Sequence, residues 1–274
     1  MTLAVDEVTC KSALTGCGGS YRLNPYVGCQ HRCTYCYATY IARWRGKSGP
    51  WGSWVQAKTN VVPVLTREVS RKKKPYVFLS TVCDVYQAIE RKYELTRQCL
   101  SVLCEAAHSD RRADVFLLTK SDLVQRDADV LAAFPDGTLR VAFSVTTSRD
   151  ETAALFEPTA PRPSRRFAAA AALKRAGLTV GVLANPILPY VTERDLPALL
   201  QAAEDAGLDF VGFDMLHYLT GHVGGKLRDV YRKVGPEAVA RLDQARNDPA
   251  YEGEVRRLVG ELTAGRRIAV ETHF

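Results

Sequence analysis

The stretch "YRLNPYVGCQHRCTYCYATY" (residues 21–40) decides how the chain is read. A short run with the look of a β-strand, Tyr21 to Gly28, stops at Cys29. Cys29, Cys33 and Cys36 then fall within eight positions, with Tyr35 and Tyr37 on either side of the last. Downstream, short β-rich runs recur: "YVFLST" (76–81), "DVFLLTK" (114–120), "LRVAFSV" (139–145), "LTVGVLANP" (178–186) and "DFVGFD" (209–214). With the run before the cysteines they make six. Between them, residues 93–108, 165–177 and 193–207 carry apolar side chains at helix spacing, and Gly177 and Gly207 close the last two as C-caps. Strand then helix, repeated, predicts an α/β chain with a parallel sheet and helical crossovers. Neither a composition break nor a long linker interrupts it, so the reading is one domain with short extensions at both ends. Periodicity leaves open whether the units close, form a partial barrel or wind into a doubly wound sheet. In each case ligands gather at the carboxyl ends of the strands.

Those ends collect a polar rim. Cys29 to Cys36 follow the first run, Ser80, Thr81, Cys83 and Asp84 the second, Thr119 and Lys120 the third. Ser144, Thr146 and Thr147 follow the fourth, Asn185 the fifth, Asp214 and His217 the sixth. Any one of these also fits a helix-capping role; the set points to a site.

Composition narrows the setting. A chain of 274 residues with 46% hydrophobic and 24% charged content can bury a substantial core. The N-terminus lacks the pattern of a signal peptide and no stretch approaches eighteen apolar residues, which predicts a cytoplasmic protein with no membrane partner. Its eight cysteines are then thiols or metal ligands rather than disulfides. A net charge of +7 leans toward a polyanionic partner where the charge is clustered. The run Arg71 to Lys74, just before a strand, reads as a solvated loop.

Three thiols so close admit two chemistries. A structural zinc site wants four closed ligands, commonly two CxxC-like pairs, and the second pair is missing. His31 lies inside the trio and is badly placed to complete it; Cys10 and Cys17 are the other candidates. Zinc would make the chain a nucleic-acid-binding module without catalysis. Soft thiolates also suit an iron–sulfur cubane, where three protein legs leave a fourth iron open.

The spacing Cys29-x3-Cys33-x-Tyr35-Cys36, between a first strand and a first helix, resembles the signature of radical S-adenosylmethionine (SAM) enzymes. The flanks "NPYVGCQHRCTYCYA", "STVCDVYQAIERKYELTRQCL", "LLTKSDLVQRDADVL" and "FSVTTSRDETAALFEPTAPRPSRRF" resemble the spore photoproduct lyase-like branch of that superfamily, over about residues 10–215. The resemblance implies an open partial (β/α)6 TIM-type barrel. It divides the chain into an N-terminal extension (1–20), a radical SAM core (21–215) and a C-terminal helical extension packed on the core (216–274). It implies a 4Fe-4S cluster on Cys29, Cys33 and Cys36, SAM chelated at the open iron, and reductive cleavage to a 5′-deoxyadenosyl radical that takes hydrogen from a substrate. By position, Lys120 and Ser144 would meet the SAM carboxylate and hydroxyls, Ser80 and Thr81 its amino group, and Asn185 in "ANPILPY" its adenine. Tyr35 would pack by the adenine or the cluster, and Tyr37 would face the barrel mouth. An external one-electron reductant such as flavodoxin or ferredoxin is implied. The substrate is a nucleic acid, a peptide or a small metabolite, and the reaction class lyase-like. One departure stands out: where the DNA-repairing member carries a hydrogen-donating Cys, pairing through the following Asp84 puts Thr81 there, with Cys83 close by as candidate donor.

Outside these motifs, Trp44, Trp51 and Trp54 fall in "ARWRGKSGPWGSW" with Arg43, Arg45 and Lys47 interleaved. They read as a cover over the first helix, or as a platform for stacked bases. Cys99 and Cys104 read as core, and His217 as a substrate-side candidate.

Overall fold

The computed structural model describes residues 3–216 and 221–273. The chain opens with β1 (Ala4–Val8), β2 (Leu14–Cys17) and β3 (Ser20–Leu23), then β4 (Tyr26–Val27), α1 (Tyr40–Trp44) and β5 (Trp54–Lys58). Helix α2 (Val61–Val69) leads to β6 (Tyr76–Leu79), α3 (Glu90–Tyr93) and α4 (Leu95–His108) to β7 (Asp114–Thr119), and α5 (Ala128–Ala132) to β8 (Leu139–Ser144). Next come α6 (Asp150–Phe156), α7 (Pro163–Arg175), β9 (Val180–Ile187), α8 (Val191–Asp205) and β10 (Phe210–Met215). Three helices, α9 (Gly221–Val234), α10 (Pro236–Asn247) and α11 (Tyr251–Thr263), precede β11 (Ala269–Thr272).

Seven strands run parallel in the order β3-β6-β7-β8-β9-β10-β11, each beside its predecessor in this series. Such single winding is the barrel pattern; a doubly wound sheet would reverse its order at a switch point. The sheet ends at β2 on one side and β11 on the other, so the curve is open. All six expected strands form. The seventh, β11, adds a strand to a C-terminal region expected to be helical throughout; its four residues are mostly exposed. In the N-terminal extension β2 pairs with β3 through the turn Gly18-Gly19, whose φ values of +62° and +88° are those a two-residue hairpin loop demands. β1, β5 and β4 make a small separate sheet over the cysteine loop's approach.

The pleat sorts the side chains. Val77, Leu79, Val115, Leu117, Val141, Phe143, Val180, Val182, Val211 and Phe213 join the large core beneath the helices. Their neighbours Phe78, Phe116, Leu118, Ala142, Leu183 and Phe210 make a second cluster on the inner face. Phe116 lies 5.0 Å from Phe78 and 6.3 Å from Phe210, and the Arg140 guanidinium stacks 4.0 Å over Phe210 while pairing with Glu271. That end of the barrel is filled. One two-residue step along each strand carries the inner face from Phe78 to Ser80, Leu118 to Lys120, Ala142 to Ser144 and Leu183 to Asn185, and there it is hollow. Arg71 to Lys74 lie before β6, at the filled end, where Lys72 sits 4.0 Å over the Tyr21 ring. Cys99 and Cys104 are buried in the core, as expected.

Candidate active site

A cavity of about 420 Å³ opens at the carboxyl ends of the strands. Cys29, Cys33 and Cys36 all line it, with Tyr35 and Tyr37 beside them and Ser80, Thr81, Cys83, Lys120, Ser144 and Asn185 around the wall. Every sequence-predicted site residue is therefore at one place, except His217, which lies outside the described residues.

Local chemistry shapes the cysteine loop. Gly28 has φ +88°, and a Cβ there would lie 2.6 Å from the Trp54 carbonyl oxygen, so glycine is required just before Cys29. Two glutamines zip the loop to the segment after β6. The Gln30 amide donates to Gln87 Oε1 (2.9 Å), the Ile89 amide to Gln30 Oε1 (2.7 Å), and Gln87 Nε2 to the Gly28 carbonyl (3.1 Å). Thr34 N donates to the Phe156 carbonyl at 2.8 Å, and Cys36 N to the Cys33 carbonyl at 3.2 Å.

All three thiols are raised in pKa, first by burial: Cys33 to about 12, Cys29 well above its ordinary value, Cys36 less far. Buried neutral thiols become ligands only where metal charge outweighs desolvation, and a coordinated thiol is deprotonated outright. This soft three-sulfur set on one cavity wall fits an iron–sulfur cluster. Among the described residues no three His, Cys, Asp or Glu side chains are arranged to hold a metal ion. His31 is turned away from the zinc role, its Nε2 lying 3.1 Å from Asp84 Oδ2.

Asp84 is a hub. Its carboxylate accepts from Thr119 Oγ1 (2.8 Å), the Lys120 amide (2.6 Å) and the Tyr86 amide (2.9 Å), while its own amide lies 3.4 Å from Cys29 Sγ. Burial alone would raise its pKa; His31 and these donors outweigh that and hold it at about 2. The residue ties the cysteine loop to the end of β7.

On the opposite wall Lys120 Nζ donates to Ser144 Oγ at 2.8 Å, and Ser144 Oγ donates to the Asn185 carbonyl at 3.1 Å. Lys120 Nζ also stands 5.7 Å over the Tyr35 ring. Behind them lies a group that sequence reasoning missed. The Tyr35 hydroxyl donates to the buried Glu157 carboxylate, which is paired with Arg166, itself 1% exposed. Arg166 further donates to the Ser144 carbonyl (2.9 Å) and the Pro161 carbonyl (2.8 Å). Burial pushes Glu157 up, but the charges of Arg166 and Lys120 hold it below its ordinary value. A signal was present: Arg166 falls on the same helical stripe as Ala169, Ala170 and Leu173, so α7 had to bury a cation.

At the remaining edge, Ser80 has φ +80° and its hydroxyl is engaged within its own turn, donating to the Cys83 carbonyl (2.8 Å) and accepting from Val85 N (3.1 Å). Thr81 Oγ1 accepts from Asn24 Nδ2 at 2.9 Å, and its carbonyl accepts from the Tyr37 hydroxyl. Cys83 is 6% exposed, its Sγ 3.3 Å from the Tyr26 carbonyl and its pKa pushed to about 12 by burial. Trp51 and Trp54 are buried as a cover over the loop, whereas Trp44 stands out in solvent with Tyr40 against it.

An α/β half-open barrel with three thiols and a lysine-centred wall at its mouth is built for a cofactor enzyme. The radical SAM superfamily model matches residues 23–203, and the chain belongs to that superfamily of enzymes. A protein of Mycobacterium tuberculosis described as uncharacterized is 30% identical over 96% of this chain and 81% of its own length. One of Methanocaldococcus jannaschii, described likewise, is 35% identical over 63% of this chain and 62% of its own length. Among solved structures, a spore photoproduct lyase variant with bound AdoMet and dinucleoside spore photoproduct superposes with a TM-score of 0.68. It covers 100% of this chain and 82% of its own at 19% identity. The fold is thus spore photoproduct lyase-like. No helix among the described residues is long and apolar enough to cross a membrane.

Proposed function

We propose that the protein holds a 4Fe-4S cluster on Cys29, Cys33 and Cys36, binds SAM beside it, and abstracts hydrogen from a nucleic-acid substrate. The observation that carries this reading is the convergence of the three thiols and the Lys120–Ser144–Asn185 chain on one cavity. Bound there, cluster and SAM supply, on one-electron reduction, a 5′-deoxyadenosyl radical; the protein's share is placement and a dry pocket.

Lys120, already oriented by Ser144, makes a charge-assisted bond to the SAM carboxylate. The Ser80 and Thr81 hydroxyls are engaged in their own turn, so contact with the amino group falls to its backbone carbonyls. Asn185 and Pro186 border the adenine, and Tyr35, locked by Glu157, gives that region a fixed floor. Tyr37 and Cys83 are the hydrogen-bearing side chains nearest the substrate end.

The substrate class rests on the rim. Tyr37, Tyr40 and Trp44 follow helical spacing away from the cavity, Trp44 is 78% exposed and 4.7 Å from Tyr40, and Arg43 and Arg45 flank it in solvent. Aromatic faces interleaved with cations suit unpaired bases and their phosphates, and the lyase of similar fold was solved with a dinucleoside photoproduct. The electron comes from an external donor of flavodoxin or ferredoxin type, and the enzyme works in the cytoplasm.

Anaerobic turnover with deuterated single-stranded oligonucleotides tests the reading. Deuterium in 5′-deoxyadenosine is expected; label arriving only from deuterated peptides or metabolites would overturn the substrate class.

A further inference from the structure

The turn at residues 51–54 packs on the cysteine loop. A Cβ on Gly52 would lie 3.1 Å from the Cys29 carbonyl oxygen and 2.0 Å from Arg32 Cγ, and one on Gly28 would touch the Trp54 ring at 3.0 Å. Trp51 and Trp54 meet edge to face at 5.7 Å, both buried. Each indole nitrogen is shut away from solvent and has no hydrogen-bond partner. A buried donor left unpaired forfeits its hydration for nothing, which calls for an acceptor.

For Trp51 the acceptor at hand is Cys36. Burial pushes that thiol's pKa up, and the Ala38 amide, Lys120 and the Trp51 indole act against the rise, which places the ring N–H beside the sulfur. A neutral thiol accepts poorly. An iron-bound thiolate accepts well, because hydrogen bonds to ionised acceptors are the strong ones.

We propose that Trp51 donates its indole N–H to the Cys36 ligand sulfur and thereby sets the reduction potential of the cluster. The inference rests on the radical SAM reading above and adds a positioning residue outside the cysteine motif. Reduction adds negative charge to the cluster, and an N–H aimed at a ligand sulfur stabilises the more negative state, so the bond raises the potential. The Asp84 amide, 3.4 Å from Cys29 Sγ, works the same way on a second leg.

Two variants of the reconstituted protein test it. Trp51→Phe removes the donor, and 3-benzothienylalanine at position 51 removes it while keeping the bicyclic shape, so packing is preserved. Iron content and absorption near 400 nm report loading, and an anaerobic redox titration reports the potential. We expect both loaded variants to be reduced about tenfold less favourably, about 59 mV more negative for a one-electron couple. Tyr76→Phe, at the filled end of the barrel, should leave the potential where it was. A loaded benzothienylalanine protein with the wild-type potential would overturn the assignment of Trp51. A wild-type protein that takes up no iron would instead overturn the radical SAM reading.

Discussion

Arg166 and Glu157 form the floor of the site, far from any solvent that could screen them. A buried ion pair contributes little net stability, yet removing one partner strands the other charge. Arg166→Met should therefore lower unfolding free energy by about 3–5 kcal/mol, with Glu157→Gln on top of it restoring most of the loss, as read by chemical denaturation. Lys120 is different in kind, because its ammonium already has a neutral partner in Ser144. Lys120→Ala should leave stability nearly unchanged and weaken SAM binding to the reconstituted protein by roughly 10- to 100-fold, the worth of one charged hydrogen bond. Equilibrium dialysis measures it, and an unchanged affinity would remove Lys120 from the SAM site. At this scale the cysteines, Lys120, Ser144 and Asn185 were legible, since each stands at a strand end inside a motif. Glu157 was not: its bond to Tyr35 spans 122 residues, and only the fold brings the two together.

Among the elements, the cysteine loop depends on Gly28, whose backbone is left-handed and whose missing side chain makes room for Trp54. Gly28→Ala asks for a strained φ, which costs about 1–3 kcal/mol, and also drives a methyl group into the Trp54 carbonyl. The expected outcome is a lower melting temperature together with fewer than four irons per chain after reconstitution. Wild-type iron content would show that the loop tolerates the displacement. The six strands of the core were readable because each is an apolar run closed by a polar rim residue. β11 escaped notice, since a four-residue edge strand with mostly exposed side chains lacks that contrast. The tryptophan segment had two readings because composition cannot say which ring is covered. Trp51 and Trp54 take the covering role and Trp44 faces solvent.

For the molecule as a whole, sequence periodicity left barrel and doubly wound sheet side by side; strand order decides for the open barrel. That order also separates two charged regions that look alike in composition. Arg71 to Lys74 lie at the end plugged by phenylalanines and Arg140, whereas Arg43 and Arg45 stand near the mouth, so only the latter can meet a substrate at the cavity. The net charge of +7 is thus informative only through its placement. All the proposed chemistry passes through the three thiols on the cavity wall. Anaerobic reconstitution with iron and sulfide, followed by SAM and a one-electron reductant, tests that claim most directly. The wild-type protein should bind about four irons with a broad absorption near 400 nm and release 5′-deoxyadenosine and methionine, and Cys33→Ala should do neither. A protein that stays colourless, or a Cys33→Ala variant that still cleaves SAM, would contradict the account.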